Sequence, residues 1–369
     1  MARKLSADKW LFTVTLVLVL IGVVMVFSAS ALLANEKFQD PKYFLIRQGI
    51  WAILGLAGMS ALMHIDYRQY RRPALIFIGL FLCFLFLVGV FLPDKSHNTH
   101  RWLRMGALSF QPSELSKLLV VGFLAFFLEK REGQIDSFRH TLLPCLTVLL
   151  IFVGLIVKEP DLGTAVCITL VALIMLFVAG LRYRYFAAII LSAIPLLIYL
   201  IYSYEYRVKR VMIFLDPWQD PQGAGFQIIQ SLIAVGSGGL TGLGLMAGRQ
   251  KLFYLPAPHT DFIFSVIGEE LGLIGTLTIL LLFGIFLWRG LRLSLHAPDP
   301  FGRYLGVGLT VMIVCQAFIN MSVVMSLVPN KGLPLPFISL GGTSLLISLL
   351  GVGVLLNISQ HSRAEWSED

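Results

Sequence analysis

The chain has 369 residues, 57% of them hydrophobic and only 14% charged, with a formal net charge of +8. A soluble domain carries about a quarter charged residues, so this balance excludes an ordinary water-soluble fold and makes lipid the main solvent. The Lys and Arg lie in short loops between apolar runs rather than along one face, which removes the nucleic-acid reading that a basic chain otherwise invites.

Apolar runs close to the ~20 residues needed to cross ~30 Å of hydrocarbon recur along the whole chain. They predict an all-α polytopic integral membrane protein, a single membrane domain over 1–369 with about ten transmembrane helices. The predicted spans lie near 10–33, 45–64, 74–92, 114–129, 141–157, 162–180, 185–202, 262–288, 304–327 and 337–358. Within the first run, Ala29-Ser30-Ala31 mimics a signal-peptidase site. The run from Trp10 is longer than a ~7–15-residue signal core, so it reads as a retained span.

The short loop at 65–73 carries Arg68, Arg71 and Arg72, and that at 181–184 carries Arg182 and Arg184. By the positive-inside rule they face the cytoplasm, and an even number of spans then puts both termini there. Across all loops Lys and Arg are nearly balanced, and the cations on the outer side gather in 93–117 and 203–261. The large extracytoplasmic loop 203–261, between spans seven and eight, is too long for a plain connection and reads as functional. Its Phe, Ile, Leu and Gly content argues against disorder, and Gln227–Val235 suits a short amphipathic helix at the interface.

Cys83, Cys145, Cys167 and Cys315 sit inside apolar runs without paired spacing and read as small buried hydrophobes. No zinc-ligand spacing, Gly-x-Ser-x-Gly elbow or Walker motif is present, which speaks against ATP-driven chemistry.

Glu114 and Lys117, three apart after Pro112, share one face of the fourth span. Charges at that depth are costly, so they either line a wet cavity, form a structural ion pair or leave Lys117 to snorkel. Asp261, in His259-Thr260-Asp261-Phe262, stands where the long loop becomes the eighth span. Locally an N-cap is the commoner role for such a residue; the alternative is a carboxylate stabilised by the helix N-terminus and ready to act as a base. Glu269 and Glu270, deeper in that helix, read first as packing groups. Gly236-Ser237-Gly238-Gly239 offers backbone N–H groups to a phosphate but is no P-loop, and Lys331 is either a solvated loop cation or a headgroup contact.

Several of these blocks resemble the SEDS family. Arg101-Trp102-Leu103 with Phe110-Gln111-Pro112-Ser113-Glu114-Leu115-Ser116-Lys117 is similar to its first outer loop. Glu159-Pro160-Asp161-Leu162-Gly163-Thr164 looks like a second block, and Gly223-Ala224-Gly225-Phe226-Gln227 with Gly236-Ser237-Gly238-Gly239-Leu240 like a third. His259-Thr260-Asp261-Phe262-Ile263-Phe264 running into Glu269-Glu270-Leu271-Gly272 is the most specific. Lys331-Gly332-Leu333-Pro334-Leu335-Pro336-Phe337-Ile338-Ser339 resembles the FtsW branch more than RodA. The chain departs from the family pattern at Ala257, at Leu340 and at Asn98-Thr99-His100.

The resemblance implies a peptidoglycan glycosyltransferase that polymerises lipid II in the bacterial inner membrane, for septal synthesis in division. It implies a class B penicillin-binding protein and other divisome membrane proteins as partners, and no nucleic acid. By matching position, Asp261 takes the essential acid role and Glu114 and Lys117 the polar pair of the cavity. Arg101, Trp102, Arg210, Ser237, Gly238, His259, Lys331 and Ser339 are the further candidates for substrate contact. No cofactor is required by these residues, although a divalent cation, Mg or Mn, is one way to balance a departing pyrophosphate. RodA-type elongation, a flippase for the same lipid and a non-catalytic scaffold are the alternatives.

Overall fold

The computed structural model describes residues 6–91, 101–105, 108–223, 225–251, 255, 258–330 and 332–362. Lys331, Ala257 and the Asn98-Thr99-His100 stretch lie outside the described residues.

The described chain is helical apart from one small hairpin. Its helices are α1 (Lys9–Phe38), α2 (Tyr43–His64), α3 (Pro73–Gly89), α4 (Pro112–Lys130), α5 (Leu143–Lys158), α6 (Leu162–Val178), α7 (Tyr183–Tyr202), α8 (Glu205–Leu215), α9 (Phe226–Ser237), α10 (Ile263–Leu295), α11 (Pro300–Val324) and α12 (Gly342–Ser359). Ten of them coincide with the ten predicted apolar runs, and α8 and α9 lie within the long loop. Helix α9 covers the stretch predicted to be amphipathic. Strands β1 (Leu103–Met105) and β2 (Leu108–Phe110) pair antiparallel just before α4.

Helix starts follow local chemistry. Asp8 accepts from Leu11 N at 2.8 Å, Asp161 from Thr164 N at 3.1 Å and Asp299 from Gly302 N at 2.8 Å, each satisfying an orphan N–H of a first turn. Pro73, Pro112 and Pro300 open α3, α4 and α11, where their missing N–H costs nothing. A π-helical turn, Phe138–Leu142, leads into α5.

Among the described residues, seven helices are long and apolar enough to cross a membrane: α1, α2, α5 with its leading turn, α7, α10, α11 and α12. Helices α3 and α6, of 17 residues each, are apolar but shorter. Helices α11 and α12 are buried over most of their length, α12 packing along α2 and α11 against α4, α6 and α10. Helix α7 buries none of its residues and stands at the rim of the bundle.

At one end the start of α1 and the end of α12 come together. The Asp8 backbone N–H donates to Ser359 Oγ at 3.0 Å, and the Asp8 carboxylate pairs with Arg289 of α10 at 2.5 Å, so the start of α1 and the end of α12 share that end. Asn357 accepts from Tyr67 N and donates to Met63 O, fastening the turn after α2 to the same corner.

Candidate active site

The opposite end carries a polar cavity. A cavity of about 410 Å³ opens there, and its polar lining includes Arg101, Asp161, Arg210, Gln227, Asp261 and Asn330. Leu197 and Ile201 of α7 give it an apolar wall. A smaller cavity of about 260 Å³ adjoins it, sharing Arg210, Gln227 and Asn330. The bridge between the two is built from Arg210, which donates to Asn330 O at 3.3 Å, and Asn330, which donates to Gln227 Oε1 at 3.3 Å.

Asp261 stands two residues before α10, in a turn whose backbone is fastened on all sides. It does not cap the helix: Phe262 holds the N-cap position and makes no side-chain cap bond. The carboxylate is thus left to the cavity. Burial, and then the negative charge of Asp161, push its pKa up to about 6, while Arg101 and Arg210 pull the other way. Asp161 is held by Thr164 Oγ1 at 2.8 Å, Gln111 Nε2 at 3.2 Å and Ser113 Oγ at 3.4 Å, and so is a fixed negative wall.

The two arginines are anchored by backbone rather than by carboxylates. Arg101 donates Nε to Glu159 O at 2.9 Å and Nη2 to Pro160 O. Arg210 sits on α8, which is pinned to the bundle by its neighbour Arg207 through Leu200 O and Val157 O. Burial lowers the Arg210 pKa, with Asp261 opposing that shift. A guanidinium has five donors, so each arginine keeps several for an anion. Beside Arg101, Glu159 is fully buried with both carboxyl oxygens unpartnered, and burial raises its pKa to about 8.

The remaining candidates are placed apart from this cavity. Lys117 and Glu114 do meet, at 2.8 Å, as their spacing requires. They are buried in the bundle with Lys117 also donating to Gln316, and the crevice beside Lys117 has no room for water. Trp102 is exposed next to Arg101. His259 is buried against Phe44, with ring centroids 4.7 Å apart; burial, then Lys37, hold its pKa down at about 4. Ser339 donates to Thr260 O and accepts from Leu335 N, both bonds internal to the protein.

Ser237 and Gly238 are drawn to α10 instead. Gly272 breaks that helix with φ +64, and the chain 238–244 fills the gap in its hydrogen-bond ladder. Leu243 N and Gly244 N donate to Glu269 O and Glu270 O, both at 3.0 Å, while Leu273 N and Ile274 N donate to Gly239 O and Leu240 O. A side chain at Gly238 would meet Gly268 O at 1.9 Å, so the glycines serve close packing. Glu269 and Glu270 staple the following loop: Glu269 accepts from Arg249 N and Gln250 N, and Glu270 from Met246 N, Ser28 Oγ and Lys251 Nζ.

Asp161 and Gln227 stood inside quoted sequence blocks without being singled out, and Gln316 and Asn320 were missed altogether. The signal for the last two was present: polar residues four apart in an apolar run, sharing one helix face.

Among the described residues, no three Asp, Glu, His or Cys side chains converge closely enough to hold a metal ion. The oxygens of Asp161 are moreover occupied by protein donors.

The cell cycle protein family of FtsW, RodA and SpoVE matches residues 8–364. A probable peptidoglycan glycosyltransferase FtsW from Geobacter metallireducens is 46% identical over 360 residues, covering 96% of this chain and 95% of that protein. Stage V sporulation protein E of Bacillus subtilis is 45% identical over 364 residues, covering 98% of this chain and 99% of its own. Among solved structures, a chain from a peptidoglycan synthase complex that coordinates polymerization and crosslinking superposes with TM-score 0.78 at 32% identity, over 96% of this chain and 98% of that one. The rod shape determining protein RodA of Thermus thermophilus gives 0.70 at 28% identity, over 97% and 98%.

Proposed function

The chain belongs to the cell cycle protein family of FtsW, RodA and SpoVE, and on that premise we propose that Asp261 is the base of a peptidoglycan glycosyltransferase polymerising lipid II. The protein is a multi-pass membrane glycosyltransferase of the FtsW kind, with a role in cell division. The observation that carries the mechanism is the grouping of Asp261, Arg101 and Arg210 around one cavity with an apolar wall at one end of the bundle.

The chemistry asks for this grouping. A sugar hydroxyl of one strand attacks the anomeric carbon of another; the new O–C bond forms as the C–O bond to pyrophosphate breaks, and the pyrophosphate leaves with the electron pair. One displacement inverts the carbon and needs one base, which takes the hydroxyl proton at the Asp261 carboxylate. Arg101 and Arg210 stabilise the charge that grows on the leaving pyrophosphate. Leu197 and Ile201 offer an apolar face beside which a lipid tail can remain in the bilayer while its headgroup enters the cavity. The cavity end then faces outward, the end bearing both termini lies in the cytoplasm, and the site works at the division septum. The partner is a class B penicillin-binding protein, which crosslinks the glycan that this chain makes.

The test is direct. Purified protein, with and without its partner, is incubated with lipid II, and polymerised glycan is resolved by gel. Asp261→Asn keeps the size of the side chain but cannot accept the proton at neutral pH, and a general base contributes ~10²–10⁴-fold, so the variant polymerises slower by that factor at normal abundance. Near-normal polymerisation by the folded Asn variant would sink the assignment. It would turn attention to lipid transport, for which an ionisable Asp261 is not needed.

A further inference from the structure

The turn that presents Asp261 is held by its backbone, one carbonyl at a time. His259 O accepts from Leu340 N at 2.9 Å, Thr260 O from Ser339 Oγ at 2.6 Å, and Asp261 O from Asn320 Nδ2 at 2.7 Å. Two of these donors belong to the segment 332–341, which re-enters the bundle between α11 and α12. The third belongs to α11 itself.

Asn320 does more than hold one strand. The same amide nitrogen donates its second hydrogen to Leu333 O, also at 2.7 Å, so one planar group spans the acid-bearing turn and the re-entrant segment. One helical turn earlier, Gln316 donates to Pro334 O at 2.9 Å and to Ser344 Oγ at 3.2 Å, continuing the same seam. The spacing between Asp261 and the residues around Leu333 is therefore set by donors on α11, which is among the most buried helices of the bundle.

The side chain of Asp261 meets that segment at Gly332. A Cβ placed on Gly332 would lie 2.6 Å from Asp261 Oδ2, a separation that Cβ atoms do not tolerate. The neighbouring Leu333 is wedged from the other side by Gly163 in the first turn of α6, whose own Cβ would fall 2.8 Å from Leu333 Cγ. The segment has no slack: it lies between the two helix starts that bear Asp161 and Asp261.

We propose that Asn320 and Gly332 are positioning residues for Asp261, Asn320 fixing its backbone and Gly332 supplying the space its carboxylate occupies. This rests on the reading of Asp261 as the base. Asn320 is buried outside the cavity lining, whereas Gly332 lines the cavity beside Asp261; each acts through the place of one carboxylate, and displacing a reacting group by about 1 Å can cost ~10²-fold in rate.

The test compares Gly332→Ala and Asn320→Asp, each alone and each combined with Asp261→Asn, by steady-state polymerisation of lipid II and by thermal unfolding in detergent. Gly332→Ala adds one methyl and removes no hydrogen bond, so it carries the test even where Asn320→Asp, which loses two donors, fails to accumulate. Expected is a loss of about 10- to 100-fold in kcat, with KM within about twofold and unchanged unfolding, because misplacing the base slows the chemical step and leaves substrate binding alone. In the Asp261→Asn background the same substitutions add less than about twofold, since the group they position is already disabled. Equal losses in both backgrounds would overturn the proposal by showing a general structural role, and so would full activity of Gly332→Ala. If Asp261→Asn itself remains active, the base assignment fails first, and that result is separate from either of these.

Discussion

A carboxylate accepts a hydroxyl proton only when ionised, so in the role proposed for Asp261 its environment sets the pH range of polymerisation. Burial and the fixed charge of Asp161 raise its pKa to about 6, and Arg101 and Arg210 restrain the rise. The sign follows: below about pH 6 the carboxyl holds its proton and the rate falls roughly tenfold per pH unit, while above about pH 7 the rate is level. A rate profile of lipid II polymerisation between pH 5 and 8 should have its midpoint near 6. Asp161→Asn should move that midpoint down, and Arg210→Gln should move it up, because each removes one of the two opposing charges. A midpoint indifferent to both changes would detach the profile from Asp261. Sequence alone pointed to this residue from its place at the head of a span, although an N-cap was the commoner local role. The cap is not made, because Phe262 intervenes as the first non-helical residue. That one-residue offset depends on how the turn is fastened by Leu340, Ser339 and Asn320, all more than 50 residues away in sequence, and no local pattern encodes it.

At the scale of the element, a break in α10 is met by the glycine-rich block that closes α9. Gly236-Ser237-Gly238-Gly239 offers backbone N–H groups in sequence, and in the structure it closes α9 and leads into the segment 239–244 that repairs a break in α10 some thirty residues later. The repair needs Gly272 at φ +64 and ψ −159, a region essentially reserved for glycine that costs another residue ~1–3 kcal/mol, and a Cβ there would also meet Gly242 N at 2.4 Å. Gly272→Ala should therefore lower the thermal unfolding midpoint in detergent and the membrane abundance, with activity falling only in proportion to the folded fraction. An unchanged midpoint would show that α10 does not depend on the break. The Glu114–Lys117 pair is the contrary case, since two residues three apart on one helix must meet and do so. What their spacing could not tell is that Gln316 would come to complete them in a packed interior, away from the Asp261 cavity.

For the whole molecule, the hydrogen bond from Asp8 N to Ser359 Oγ requires an even number of crossings between α1 and α12. Among the described residues the helices long and apolar enough to cross number seven, which is odd and so does not by itself match that even count. A 17-residue helix such as α3 or α6 spans about 25 Å, near the ~30 Å of hydrocarbon, and counting these two with α4 would give the ten spans expected from the sequence. The basic turn at Arg68, Arg71 and Arg72 should then face the cytoplasm. A cysteine placed at Gln69 should resist a membrane-impermeant maleimide in intact cells and react once the membrane is opened; labelling in intact cells would invert the topology. Sequence by itself determined the membrane class, the helix-bearing runs, the long loop and the family, because apolar length, loop charge and contiguous motifs are properties of neighbouring residues. Tertiary structure alone decided which polar groups share the cavity. Asp161, Arg210, Gln227 and Asn330 join Asp261 there, whereas Ser237, Gly238, Ser339 and the Glu114–Lys117 pair are spent on internal bonds and packing. The physical reason is that a buried polar group must find a partner wherever packing supplies one, and those partners come from helices far apart along the chain.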